Sequence, residues 1–146
     1  MGSKLGRKFA MSDEITYPTM KQIERLYRRV IELTGGESGY LSKSNLEYLL
    51  ETVKDVGERL DSKRAIVKKA AFLLYNIIVL HPFVNGNKRT GYELVRLFLQ
   101  ANGYNIDASP KREYDFLLDV ASGKASATDV ERWIATNLAE VRRGLS

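Results

Sequence analysis

Apolar residues recur at three- and four-residue steps along nearly the whole chain. Met20, Ile23, Leu26, Tyr27, Val30 and Ile31 form the first stripe, which predicts an amphipathic helix capped by Thr16 or Thr19 and ended by Gly35-Gly36. Leu46, Leu49, Leu50 and Val53 mark a shorter helix starting near Ser42 or Ser44, and Gly57 interrupts before the next segment. From about Ser62 to Leu80 the pattern changes. Its second half, Ala70 to Leu80, is apolar on nearly every side, as in a central buried helix. Pro82 disfavours helical geometry at His81, so the chain is expected to leave the helix there. A fourth helix begins around Asn87, with Leu94, Val95, Leu97, Phe98 and Ala101 on its core face and Asn102-Gly103 closing it. Ser109-Pro110 reads as an N-cap followed by proline at the first helical position, with Phe116, Leu117 and Val120 facing inward until Gly123. Thr128-Asp129-Val130-Glu131 fits a capping box for a last helix that continues through Trp133, Ile134, Leu138 and Val141. Strands are hardly signalled; Glu37 to Leu41 is the one stretch that reads as a loop or short extended flap. The expected class is all-α.

Length and composition narrow the chemistry. A chain of 146 residues fits one domain with one core. Hydrophobic residues at 44% and charged residues at 28% are the balance of an ordinary globular protein. Without cysteine there are no disulfides and no thiolate nucleophiles or ligands, and with one histidine the Cys/His zinc patterns cannot be built. The apolar run Ala70 to Leu80 is too short to span a bilayer, and Met1 to Ala10 is basic without an apolar signal core. A soluble, cytoplasmic protein without a membrane partner is the expectation. Residues 1–15 read as a flexible N-terminal extension, with Met11 a candidate natural start, and residues 16–146 as the domain. The net charge of +5 attracts anions, but Lys and Arg are interspersed with Asp and Glu, so nucleic acid is not the expected partner.

Chemistry concentrates in His81-Pro82-Phe83-Val84-Asn85-Gly86-Asn87-Lys88-Arg89-Thr90-Gly91. A helix starting at Asn87 would expose unpaired N–H groups and the positive end of its dipole. Gly86 permits a tight turn and close approach, so the amides near Gly86, Asn87 and Lys88 can form a phosphate nest. Arg89 can bind phosphate bidentately and Lys88 can add a point charge. Across the loop, His81 can take a proton from an attacking hydroxyl near neutral pH. Each feature has an ordinary structural reading: a histidine capping carbonyls, an Asn-Gly-Asn turn, a solvated Lys-Arg pair. Phe83 would be a core plug under either reading. Their occurrence together in this order favours phosphoryl or nucleotidyl transfer.

His81 to Gly91 resembles the signature of the Fic/Doc family, His-Pro-Phe-x-acid-Gly-Asn-Gly-Arg-x-x-Arg, and specifically its Doc (death-on-curing) branch, in which Asn-Lys-Arg stands where Fic has Asn-Gly-Arg. Here the segment is Asn87-Lys88-Arg89. The resemblance implies a Fic/Doc-fold helical bundle with a short flap or hairpin before the central helix. It implies His81 as the base that activates a protein hydroxyl, and Phe83 as the loop's anchor. Asn85, Gly86, Asn87, Lys88 and Arg89 become the nucleotide-phosphate site, with Arg89 and Lys88 also catalytic through countercharge. The substrate would be ATP with Mg2+. Asn85 takes the acidic, metal-holding position, where a neutral amide is a poorer magnesium ligand. The final arginine falls at Tyr92. Lys88 fills the space of the second glycine, which favours a Doc-like protein kinase moving the γ-phosphate to a Ser, Thr or Tyr hydroxyl of a target such as a translation factor. The alternatives are AMP or other NMP transfer to a protein hydroxyl, and a catalytically degenerate nucleotide- or partner-binding module. Glu37 to Leu41 is the candidate flap for seating the target by strand addition. Thr136 to Val141 has the spacing of the family's inhibitory helix but ends in valine, which favours a separate antitoxin partner.

Overall fold

The computed structural model describes residues 14–141. The proposed extension and alternative start therefore fall almost wholly outside the described residues. Helices α1 (Met20–Thr34), α2 (Lys43–Thr52), α3 (Ser62–Leu80), α4 (Asn87–Ala101), α5 (Pro110–Ala121) and α6 (Ala127–Thr136) carry the fold, with strands β1 (Tyr104–Ile106) and β2 (Leu138–Glu140). The all-helical expectation holds, and no helix among the described residues is long and apolar enough to cross a membrane.

The helix starts follow side-chain chemistry. Thr19 caps α1 in a capping box with Gln22, Ser42 caps α2, Asp61 caps α3 and Ser109 caps α5 ahead of Pro110. The α6 cap lies two residues earlier than expected: Ser126 and Asp129 form the box, not Thr128 and Glu131. That register satisfies the orphan amide of Asp129 with the Ser126 hydroxyl at 3.1 Å.

A larger correction concerns the end of the chain. The last helix stops at Thr136, and Leu138–Glu140 becomes a strand antiparallel to β1, pairing Ile106 with Leu138 and Tyr104 with Glu140. Asn137 causes the switch. Its Nδ2 donates to Trp133 O at 2.8 Å, its O accepts from Asp107 N, and its Oδ1 accepts from Arg112 Nη2 at 3.0 Å. An asparagine that bonds local backbone competes with helix continuation, and the pairing with β1 takes up the freed groups. The stretch with inhibitory-helix spacing is thus neither such a helix nor an ordinary helix end.

Helix α3 is central. One apolar cluster packs its Ile66, Ala70, Leu73 and Leu74 against Tyr92, Val95 and Phe98 of α4 and against Phe116, Val120, Val130 and Ile134. Gly91 permits the α3–α4 approach, because a Cβ there would lie 3.2 Å from Ile77 Cγ2. The second cluster gathers Ile23, Tyr27, Leu46, Leu49, Ile77 and Leu94 around Phe83. Lys69, buried within α3, donates to the carbonyls of Val53, Lys54 and Val56 at 2.8–3.1 Å. All three ammonium donors are used there, which closes the end of α2 onto α3.

Candidate active site

Helix α3 ends at His81 in left-handed geometry, φ 54° and ψ 58°, with its N–H on Ile77 O at 3.1 Å. It is the one non-glycine residue with positive φ among the described residues. A side chain in that region costs roughly 1–2 kcal/mol. The chain does leave the helix ahead of Pro82, but through an αL cap and not through the extended geometry usual before proline. The imidazole is solvent-exposed and has no hydrogen-bond partner among the described residues.

Beyond it, the loop is held by buried anchors. Phe83 is fully buried, stacked on Tyr27 at 4.0 Å and on Tyr40 at 5.3 Å between ring centroids. Burial of such a ring contributes roughly 2–3 kcal/mol. Asn87, also buried, accepts from Phe83 N at 3.0 Å and donates to Phe83 O at 2.9 Å. Its side chain is therefore a staple across the turn, and what it offers a ligand is its backbone amide.

The Glu37 to Leu41 stretch lies against this loop as an extended flap. It is not a hairpin: Tyr40 makes an isolated antiparallel bridge to Phe83, Val84 N donates to Gly39 O at 2.9 Å, and Leu41 N donates to Pro82 O at 2.7 Å. The Tyr27 hydroxyl holds the flap from beneath, accepting from Gly39 N at 2.9 Å. Tyr40 donates to Glu24 Oε2 at 2.6 Å. Burial first, and then the Glu24 carboxylate, hold the Tyr40 hydroxyl protonated well above its ordinary range. Asn85 joins flap and loop, since its Oδ1 accepts from Glu37 N at 3.0 Å. A Cβ on Gly36 would lie 2.9 Å from the Asn85 side chain, so that contact requires glycine.

Helix α4 then starts without a side-chain cap. Gly86 is its N-cap, at φ 80° and ψ 16°, and the first intrahelical bond runs from Thr90 N to Gly86 O. The amides of Asn87, Lys88 and Arg89 precede it and have no helical acceptor. Lys88 is exposed and makes no ion pair among the described residues. Arg89 donates from Nη1 to Glu93 Oε2 at 3.0 Å and lies 5.8 Å from the Tyr92 ring centroid. Tyr92, at the position of the longer motif's last arginine, is fully buried and donates to Glu113 Oε2 at 2.5 Å. Position 92 therefore serves the core.

Sequence reasoning did not anticipate Glu93, Tyr27 or Glu24 as neighbours of the motif. Glu93 could have been found from its i,i+4 spacing to Arg89; the other two meet the loop only through the fold.

The sequence profile described as the Fic/DOC family matches residues 17–99. The chain belongs to the Fic/DOC family. Similar proteins include the protein adenylyltransferase fic-1 of Caenorhabditis elegans, 29% identical over 83 residues, which span 52% of this chain and 16% of that protein. The probable protein adenylyltransferase y4lH of Sinorhizobium fredii is 35% identical over 81 residues, spanning 52% of this chain and 42% of the relative. The chain thus matches less than half the length of either relative.

Proposed function

We propose that this protein transfers a nucleoside monophosphate, AMP in the first instance, from a nucleoside triphosphate such as ATP to a hydroxyl of a protein target. The observation that carries the reading is the pairing of an unpartnered, exposed imidazole with an uncapped, cation-bearing helix start, joined by the loop Pro82–Gly86. His81 would take the hydroxyl proton as the oxygen attacks the α-phosphorus. The new O–P bond forms, the bond to the bridging oxygen breaks, and pyrophosphate departs. The free amides of α4, Lys88 and Arg89 would stabilise the charge on the transferred and departing groups. The names of the two relatives support adenylyl transfer over the kinase expected from the motif alone.

The kinase reading keeps one specific observation in its favour. Lys88 occupies the position of the AMP-transferring pattern's second glycine, as in the Doc-like branch, and a reversed nucleotide would place the γ-phosphorus beside His81. The same proton then moves to His81, the hydroxyl bonds the γ-phosphorus, and ADP departs. A cytoplasmic protein neutralised by a separate antitoxin belongs to that reading.

A protein-held magnesium ion does not fit the residues present. Asn85 offers one neutral oxygen that already accepts the Glu37 amide, and no metal-binding group of His, Cys, Asp and Glu occurs among the described residues. A magnesium ion would instead come with the triphosphate.

The deciding experiment presents ATP labelled at the α- or the γ-phosphorus to the protein and a cell extract. Protein-bound α-label is the expected outcome. Protein-bound γ-label alone establishes the kinase reading, and label from neither position removes both.

A further inference from the structure

Glu93 stands one turn beyond Arg89 and is shared between two arginines. Its Oε2 accepts from Arg89 Nη1 at 3.0 Å, while its Oε1 lies 3.8 Å from Arg96 Nη1. The three residues lie three and four apart along α4, on one face. The side chains are partly sheltered, with 40% of Arg89, 30% of Glu93 and 34% of Arg96 exposed. Arg96 carries an irregularity: its Nε is buried and has no hydrogen-bond partner among the described residues. A buried donor without an acceptor is unfavourable, and more so on a charged group.

These facts describe a carboxylate with one occupied position and one open position beside it. The cation it occupies, Arg89, is the one proposed to receive phosphate. A phosphate arriving at Arg89 meets a charge already neutralised and a carboxylate of its own sign. We infer that Glu93 is a transferable counter-ion, pairing with Arg89 in the free protein and passing to the Nε–H of Arg96 when phosphate takes Arg89. The inference rests on the reading above that Arg89 binds the nucleotide phosphates.

The exchange conserves hydrogen bonds. Arg89 trades a carboxylate for a phosphate, Glu93 gives up its bond to Arg89 and closes on Arg96, with which it already pairs, and Arg96 closes its open donor. Glu93 is partly exposed, and its Oε1 already lies 3.8 Å from the Arg96 guanidinium. Without Arg96 the released carboxylate stays beside the phosphate and repels it. Arg96 is thus a positioning residue that acts through Glu93. It sets nucleotide affinity and KM, and leaves the transfer step itself to His81 and the helix tip.

The test measures binding of ATP, and of tripolyphosphate as a phosphate-only probe, by titration calorimetry. Wild type is compared with Glu93→Gln, Arg96→Met, the double variant and Arg89→Met. Removing the competing carboxylate in Glu93→Gln is expected to tighten binding roughly three- to tenfold, the effect of one unit charge about 4–6 Å away screened by a water-like dielectric. Arg96→Met is expected to weaken binding by a similar factor in the wild-type background and by much less alongside Glu93→Gln. Equal weakening in both backgrounds means that Arg96 acts as a bare charge, which overturns the hand-off.

A second measurement needs no variant at Arg96. In nitrogen-15 NMR spectra, the Arg96 Nε–H resonance is expected to shift and its solvent exchange to slow on adding ATP. An unchanged resonance at saturating ATP overturns the inference. If Arg89→Met binds both probes as wild type does, or wild type binds neither, the phosphate reading falls and takes this inference with it. If Arg89→Met loses binding while Glu93→Gln and Arg96→Met do not alter it, this inference alone is wrong.

Discussion

Two helix–loop–helix junctions in this molecule solve the same problem in opposite ways. Between α5 and α6 the local rules are obeyed. Gly123 takes the left-handed position at φ 86°, Ser126 caps the next helix, and Asp129 places an acid in its first turn. Hydrogen bonds from Ser126, and next the nearby Arg132, hold the Asp129 carboxyl below its ordinary range. Between α3 and α4 the rules are broken in succession. The left-handed position falls on His81, the N-cap is a glycine without a side chain, and Lys88 and Arg89 place cations at the positive end of the dipole. The first junction caps its second helix with that helix's own side chains. Among the described residues, the second keeps an imidazole, three amides and the Lys88 cation unpaired, with Arg89 held by Glu93, and it is held in place by Phe83 and Asn87. Strain of this kind persists where the surroundings over-determine it, and it clusters at functional sites.

The contrast can be broken most forcefully at its anchor. Asn87→Ala removes both hydrogen bonds to the Phe83 backbone and leaves a buried N–H and C=O without partners. A loss of about 2–3 kcal/mol in urea denaturation is expected, together with loss of label transfer. His81→Gly should act in opposite directions on stability and function. Relief of the left-handed side chain stabilises the fold by about 1 kcal/mol, while transfer disappears. A destabilised His81→Gly protein would show that the imidazole is a structural cap. Ser126→Ala, at the obedient junction, is expected to lower stability by about 1 kcal/mol and to leave transfer unchanged. Impaired transfer there would mean that the two junctions are not separate in function.

Much of the helical frame was legible because it is written in local signals. Thr19, Ser42, Ser109-Pro110 and the Gly35 stop sit where capping chemistry predicts, and the run from Ser62 to Leu80 is a single helix. The misses share a cause. Leu138 continues the helical period of Trp133 and Ile134, and only pairing with Tyr104–Ile106 makes it a strand. Thr128 and Ser126 are both plausible caps, and tertiary packing of Val130 and Ile134 chooses between them. At the site, the order of His81, Gly86, Lys88 and Arg89 announced the family. The division of labour was hidden. Asn87 looked like a ligand and its side chain is a staple. Asn85 looked like a metal position and its oxygen holds the flap. Tyr92 looked like a lost arginine and is a core residue bonded to Glu113. Those roles depend on partners distant in sequence, which no local pattern contains.

We propose that the His81 imidazole acts on a nucleotide held at the α4 tip. It is tested most directly by protein-bound label from α-labelled ATP, measured for wild type and His81→Ala at nucleotide concentrations that saturate both. His81→Ala is expected to bind ATP as wild type does and to transfer at least about a hundredfold more slowly. Equal transfer by the two proteins would contradict it.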